Sequence, residues 1–102
     1  MFVRTMIIVK IPADAGNKAI MDGSLPKAIE GFAKAYKPEA AYFTAHGGNR
    51  TAFFFCNLPE SSHMPAIAEP FFMQFGAQVT FEPVMNEQEL RAGLERVMSS
   101  KH

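Results

Sequence analysis

The chain has 102 residues, of which 48% are hydrophobic and 20% are charged, so it can form the core of one domain and is not expected to be disordered. Its 10 basic and 10 acidic residues give a formal net charge of zero, which argues against nucleic acid and against an anionic membrane surface as partners. One cysteine excludes an internal disulfide, and the absence of a long apolar run or a signal-peptide pattern leads us to expect one cytoplasmic domain over residues 1–102.

Residues 2–11 form the first predicted strand, because they are β-branched and apolar and are followed by Pro12. Side chains alternate between the two faces of a strand, and the odd-numbered positions give the more continuous apolar face here. We therefore assign the odd-numbered face to the core. The even-numbered face also carries large apolar side chains, those of Phe2, Met6 and Ile8.

The first helix follows a predicted turn at residues 14–17. Residues 18–22 predict an early helical turn, with a kink at Gly23. Ser24 is a suitable N-cap for the main helix, and Pro38 ends it. Its apolar face recurs at helical spacing and consists of Leu25, Ile29, Phe32 and Tyr36.

Residues 40–46 and 50–57 predict the second and third strands. The segment Gly47-Gly48-Asn49 joins them and supplies residue types that tolerate positive φ in a tight hairpin. This is the strongest turn signal in the chain, and it predicts that the two strands pair with each other.

The second helix is predicted to follow residues 59–63 and to stop at Gly76. Pro70 lies inside the pattern and predicts a kink or a division into two short pieces, because proline cannot donate the helical hydrogen bond. The apolar face of this helix consists of Met64, Ile67, Ala68, Phe71, Phe72 and Phe75.

Residues 77–85 predict a fourth strand, and Pro83 places it at an edge of the sheet or at a bulge. Asn86 and Glu89 then have the spacing of a capping box, which predicts the start of a last helix. Glu87 and Arg91 have the spacing of a favourable ion pair on that helix. Its apolar stripe consists of Leu90, Leu94 and Val97.

The element order is β-α-β-β-α-β with an extra C-terminal helix, which predicts an α+β, ferredoxin-like fold with two helices on one face of an antiparallel sheet. The other face should then be polar, but Phe53-Phe54-Phe55 places aromatic rings on both faces. An exposed apolar patch of this kind marks an interaction surface. A second copy of the chain, an RNA or the last helix could cover it.

RNA-recognition motifs share this topology and carry stacking aromatics on the third strand, where this chain has the segment Arg50–Phe55. The glycine that should follow the basic residue is missing, and the chain has no net positive charge. We therefore predict no nucleic-acid partner and favour self-association.

Two such sheets packed face to face would make a closed barrel, and here the chain resembles the dimeric α/β-barrel superfamily. The segments Ile67–Phe72 and Glu82–Met85 resemble one of its small families. The superfamily includes antibiotic-biosynthesis monooxygenases, heme-degrading monooxygenases and muconolactone isomerases. The resemblance implies a homodimer that binds a small, largely apolar molecule, either as a cofactor-independent monooxygenase or isomerase or as a binding or structural module without catalysis.

Polar side chains on three predicted strands define the candidate site. Tyr42, Thr44 and His46 alternate along the second strand and therefore share one face. Arg4 and Glu82 lie on neighbouring predicted strands and could pair across them. We assign proton exchange to His46 and Tyr42, and substrate binding to Arg4, Thr44 and Glu82. The alternative is that these residues form only strand-end or interface hydrogen bonds and that Arg4 and Glu82 form a salt bridge that only stabilises the sheet. In that interpretation His46 is an ordinary solvated histidine beside the Gly-Gly turn.

Neither a metal nor another cofactor is expected. The three histidines, His46, His63 and His102, are far apart and lack a metal-ligand spacing. Members of the resembled superfamily can hold heme, but nothing singles out one of these histidines as its ligand. We expect His63 to be exposed at a helix start. Cys56 lies in an apolar strand and is interpreted as a core residue.

Overall fold

A computed structural model describes residues 2–100 and shows an α+β architecture with four helices and a four-stranded antiparallel sheet. The strands are β1 (Val3–Ile11), β2 (Ala40–His46), β3 (Asn49–Leu58) and β4 (Gln78–Pro83). The helices are α1 (Ala13–Met21), α2 (Ser24–Tyr36), α3 (His63–Phe75) and α4 (Glu87–Ser99). The strand order β2-β3-β1-β4 is compatible with a ferredoxin-like fold.

The core lies between the helices and the odd-numbered face of β1, as predicted. Ile7, Val9 and Ile11 are all buried there. Phe54 of β3 lies opposite Ile7 of β1 and is also buried, as is Cys56 on the same face of β3. The period of two in the apolar pattern therefore assigned the core-facing side correctly.

Aromatic rings connect the helices to the sheet. The ring centroids of Phe32 on α2 and Phe54 on β3 are 4.5 Å apart. Phe32 also contacts Phe71 of α3 edge to face, with a centroid separation of 6.2 Å. Phe32 of α2 thus contacts both β3 and α3, which favours a single arrangement of the helices on the sheet.

The region before α2 differs from its prediction, because residues 14–17 are part of α1 and not a turn. The amide of Gly16 donates to the carbonyl of Pro12 at 2.8 Å, so the helix starts directly after the proline. Gly16 and Ala19 are buried, and small side chains let α1 pack closely against the rest of the core. Gly23 has φ 78° and separates α1 from α2.

Helix α3 is continuous through Pro70, so of the two predicted outcomes, a kink or a division into two short pieces, the division does not occur. The carbonyl of Ala66 has no helical donor, because residue 70 is a proline and has no N–H. Both Ala66 and Pro70 are exposed. Water can satisfy an exposed carbonyl, which lowers the penalty for proline within a helix. Gly76 ends the helix with φ 60°, and Gly47 and Gly48 form the β2–β3 hairpin with positive φ, as predicted.

Helix α4 leaves the body of the domain and covers neither face of the sheet. This helix, which lies wholly within the described chain, buries none of its residues. The radius of gyration is 16.3 Å, compared with about 13 Å for a compact domain of this length. The long dimension of 59 Å reflects the same extension. Within residues 2–100, every helix is too short or too polar to cross a membrane.

We predict that Phe54→Ala lowers the free energy of unfolding by about 3–5 kcal/mol, because the truncation leaves a cavity in the centre of the core. Phe72→Ala on α3 is the matched control, since Phe72 is 41% exposed, and it should cost less than about 1.5 kcal/mol. Chemical denaturation followed by circular dichroism measures both. Equal losses would contradict the assignment of Phe54 to the centre of the core.

Candidate functional site

The side of the sheet that points away from α1, α2 and α3, here called the open face, has an apolar centre. In the strand register, Met6 lies opposite Phe55, and Ile8 lies opposite Phe53. Tyr42 of β2 lies on the other side of Phe53. These five side chains, Met6, Ile8, Tyr42, Phe53 and Phe55, are partly or largely exposed in the single chain and form one patch, called the apolar centre below.

Polar residues border the apolar centre along the strands. Towards the β2–β3 hairpin, the next row across the sheet contains Thr44, Thr51, Lys10 and Gln78. Towards the other end of β1, Arg4 lies opposite Asn57. The open face is therefore an apolar patch between two polar ends, an arrangement typical of protein and ligand contact surfaces.

All five predicted site residues lie on the open face, but they do not form one cluster within the chain. Tyr42 and His46 are four residues apart on β2, a separation of about 13 Å along a strand. His46 pairs with Asn49 at the hairpin, and Arg4 lies at the opposite end of the sheet. Sequence alternation thus placed these residues on one face but could not place them at one point.

The predicted pairing of Arg4 with Glu82 is not formed. Glu82 lies opposite Met6, which is two residues along β1 from Arg4. The Nε atom of Arg4 instead donates to Glu39 at 3.0 Å, and its Nη1 atom donates to Glu89. The hydrogen bond to Glu39, together with the nearby Glu89 carboxylate, raises the pKa of the Arg4 guanidinium above its ordinary value.

Glu89 serves both the start of α4 and the contact with Arg4. The Asn86 side chain accepts from the backbone amide of Glu89 at 2.8 Å, and the Glu89 carboxylate accepts from the amide of Asn86 at 2.8 Å. This confirms the predicted capping box. The hydrogen bond from Asn86 and the charge of Arg4 lower the pKa of the Glu89 carboxyl. The capping box was readable from the sequence, but its link to Arg4 was not.

Cys56 is a core residue, as predicted. It is fully buried on the helix side of β3. Burial raises the pKa of its thiol to about 11, so the thiolate is scarce near neutral pH. Cys56 is therefore not a nucleophile of the open face.

His63 is half-buried and not exposed as expected, because it begins α3 against Tyr36 of α2. Its Nδ1 atom lies 3.5 Å from the Tyr36 hydroxyl, and the two rings meet edge to face. The pair joins two helices on the covered side of the sheet. It is therefore separate from the open face.

Apolar concavities of the described chain also lie away from the apolar centre. One cleft of about 290 Å³ lies at the strand ends, between Leu58, Met64 and Phe81. Among residues 2–100, no three histidine, cysteine or acidic side chains come close enough together to hold a metal ion. Comparisons of the chain with protein-family models, curated proteins and solved structures found no match.

We predict that Glu89→Gln destabilises the protein at neutral pH and that this loss of stability becomes smaller as the pH falls. A carboxyl with a lowered pKa contributes fully above its unfolded value of about 4.3, and the contribution is lost as pH falls through the folded value. Glutamine retains a side-chain oxygen for the capping box but removes the charge next to Arg4. Urea unfolding at about pH 7 and pH 3 measures the difference.

Glu87→Gln is the matched control on the same helical turn. Glu87 forms an i, i+4 pair with Arg91 at 3.0 Å, and both side chains are largely exposed. Exposed pairs contribute little, so this substitution should change stability far less than Glu89→Gln. A loss for Glu89→Gln that does not shrink between about pH 7 and pH 3 would contradict the role of its charge.

Proposed function

We propose that the protein is a homodimeric α/β barrel whose two open faces enclose a small, largely apolar molecule, and that it acts as a binding module. The observation that carries the proposal is the apolar centre, which no element of the described chain covers. Covering apolar surface is favourable at about 25 cal/mol per Å². A second copy offers the same patch, so a two-fold contact satisfies both chains at once.

The charges of the open face favour a protein partner over a nucleic acid. In the described chain its basic side chains are Arg4 and Lys10, and Arg4 is already paired with Glu39 and Glu89. Binding to a phosphate backbone needs several free cationic groups. Phe53 and Phe55 therefore serve better as contacts for apolar side chains and apolar ligands than for stacked bases.

Binding is favoured over catalysis because the groups assigned to proton exchange are separated. Tyr42 and His46 are about 13 Å apart along β2, beyond hydrogen-bond reach of one small substrate atom. Two carboxylates already accept from the Nε and Nη1 atoms of Arg4, which leaves fewer of its donors to orient a carbonyl. A monooxygenase or isomerase would need these groups to converge. A binding module needs only an apolar enclosure with a few polar groups.

We predict that Phe53→Asp or Phe55→Asp converts a dimer to a monomer, because each places a charge in the centre of the proposed interface. Asn57→Asp is the matched control, since it adds a charge on the same strand and face but at the polar end. Light scattering at micromolar concentration measures the mass. A monomeric wild-type protein, or a dimer that tolerates both aspartates, would overturn the proposed assembly.

A second prediction concerns the ligand. The neutral fluorophore N-phenyl-1-naphthylamine should bind saturably. The fluorescence of the bound dye per protein chain should fall when dilution dissociates the dimer, because the proposed binding space lies between the two open faces. Met64→Glu, which alters the cleft at the strand ends, should leave this binding unchanged. Binding that ignores dilution but is lost in Met64→Glu would place the ligand in that cleft and contradict the proposal.

A further inference from the structure

Helix α4 carries an apolar stripe with no partner in its own chain. Leu90, Leu94 and Val97 recur at helical spacing and are 45%, 54% and 63% exposed. A helix of thirteen residues is marginally stable in water unless one face is packed. The stripe therefore requires a surface to cover it, and its own sheet does not provide one.

A second unpartnered apolar surface lies along β2. Phe43 is on the helix side of this edge strand, yet it is 58% exposed, because the helix layer stops short of β2. A groove of about 390 Å³ remains between α2 and β2, here called the edge groove. Its apolar walls include Leu25, Ile29, Phe43 and Ala45.

The edge groove and the start of α4 lie at opposite ends of the sheet. The edge groove is next to Ile11, whereas Glu89 fixes the start of α4 at Arg4. These two positions of β1 are seven residues apart, or about 23 Å along a strand. A ten-residue strand is about 33 Å long and α4 about 20 Å, and placed end to end they approach the 59 Å length of the molecule. Helix α4 therefore leads away from its own edge groove.

We propose that α4 of one chain packs its stripe into the edge groove of a second copy, an inference that rests on the proposed homodimer. The docked helix would complete the helix layer over β2, where Phe43 is uncovered. Leu90, Leu94 and Val97 would meet a mainly aliphatic and aromatic wall, which Arg50 borders. Exchange in both directions adds two helix contacts to the open-face contact, which helps the interface reach the ~1,200 Å² that stable dimers bury.

Disulfide formation between engineered cysteines tests the location directly. Leu94→Cys combined with Ala45→Cys should give a covalent dimer under mild oxidation, seen on a non-reducing gel. Native Cys56 will not interfere, because it is fully buried and its pKa is about 11. The two single variants are the controls, and neither should form the dimer efficiently.

Other cross-links would overturn the inference. A disulfide formed within one chain would mean that α4 folds back onto its own edge groove. Efficient cross-linking of Leu94→Cys alone would mean that two α4 helices pair with each other. Cross-linking of Leu94→Cys to Ile8→Cys, in place of Ala45→Cys, would put α4 on the open face.

A charge substitution measures the contribution of the stripe. Leu94→Arg should raise the dimer dissociation constant at least about tenfold, because it places a charge in an apolar contact. Gln88→Arg adds the same charge on the polar side of α4 and should change the constant less than about twofold. Circular dichroism checks that both variants fold. A wild-type monomer would overturn the dimer and the exchange together, whereas a dimer unaffected by Leu94→Arg would overturn the exchange alone.

Discussion

A four-stranded sheet has two faces, and in this chain both faces are apolar although the helices cover one of them. The segment from Phe53 to Phe55 places aromatic rings on both faces, because consecutive residues of a strand point to opposite sides. Phe54 is buried against the helices, whereas Phe53 and Phe55 lie on the open face beside Ile8 and Met6. The same strand that centres the core therefore also creates the surface that needs a partner.

The polar ends of the open face limit what that partner can be. Arg4 would be the obvious cation for an acidic ligand, but Glu39 and Glu89 already neutralise it. The charge remaining near the apolar centre is small, so steering of a charged partner contributes little. Recognition in the proposed dimer would then depend mainly on apolar area and shape, which favours a second copy and a small apolar ligand over a charged partner.

Local patterns in the sequence were sufficient for most of the fold. The bounds of β2 and the capping box of α4 were predicted correctly, because alternation and capping are properties of neighbouring residues. Helix α1 was missed in part because Asp14 and Asn17 have the composition of a turn, and the packing of Gly16 against the core overrides that preference.

The candidate site was less predictable, because its geometry depends on contacts between distant parts of the chain. Alternation placed Tyr42, Thr44 and His46 on the open face, but only the register shows that they occupy successive rows. Glu39 precedes an edge strand and carries no periodic signal, so its contact with Arg4 could not be read from spacing.

The direction of α4 follows from the same Arg4 contact. The stripe of Leu90, Leu94 and Val97 identifies an apolar side of the helix but says nothing about what covers it. Glu89 ties the first turn of α4 to Arg4 at one end of the sheet, and the short connection from β4 leaves little freedom to fold back. In the proposed dimer, this ion pair would aim the helix at the second copy. Loss of the Glu89 charge in acid would then weaken the anchoring of α4 and the proposed dimer together. The core around Phe54 contains no ionisable partner of Arg4 and would remain packed.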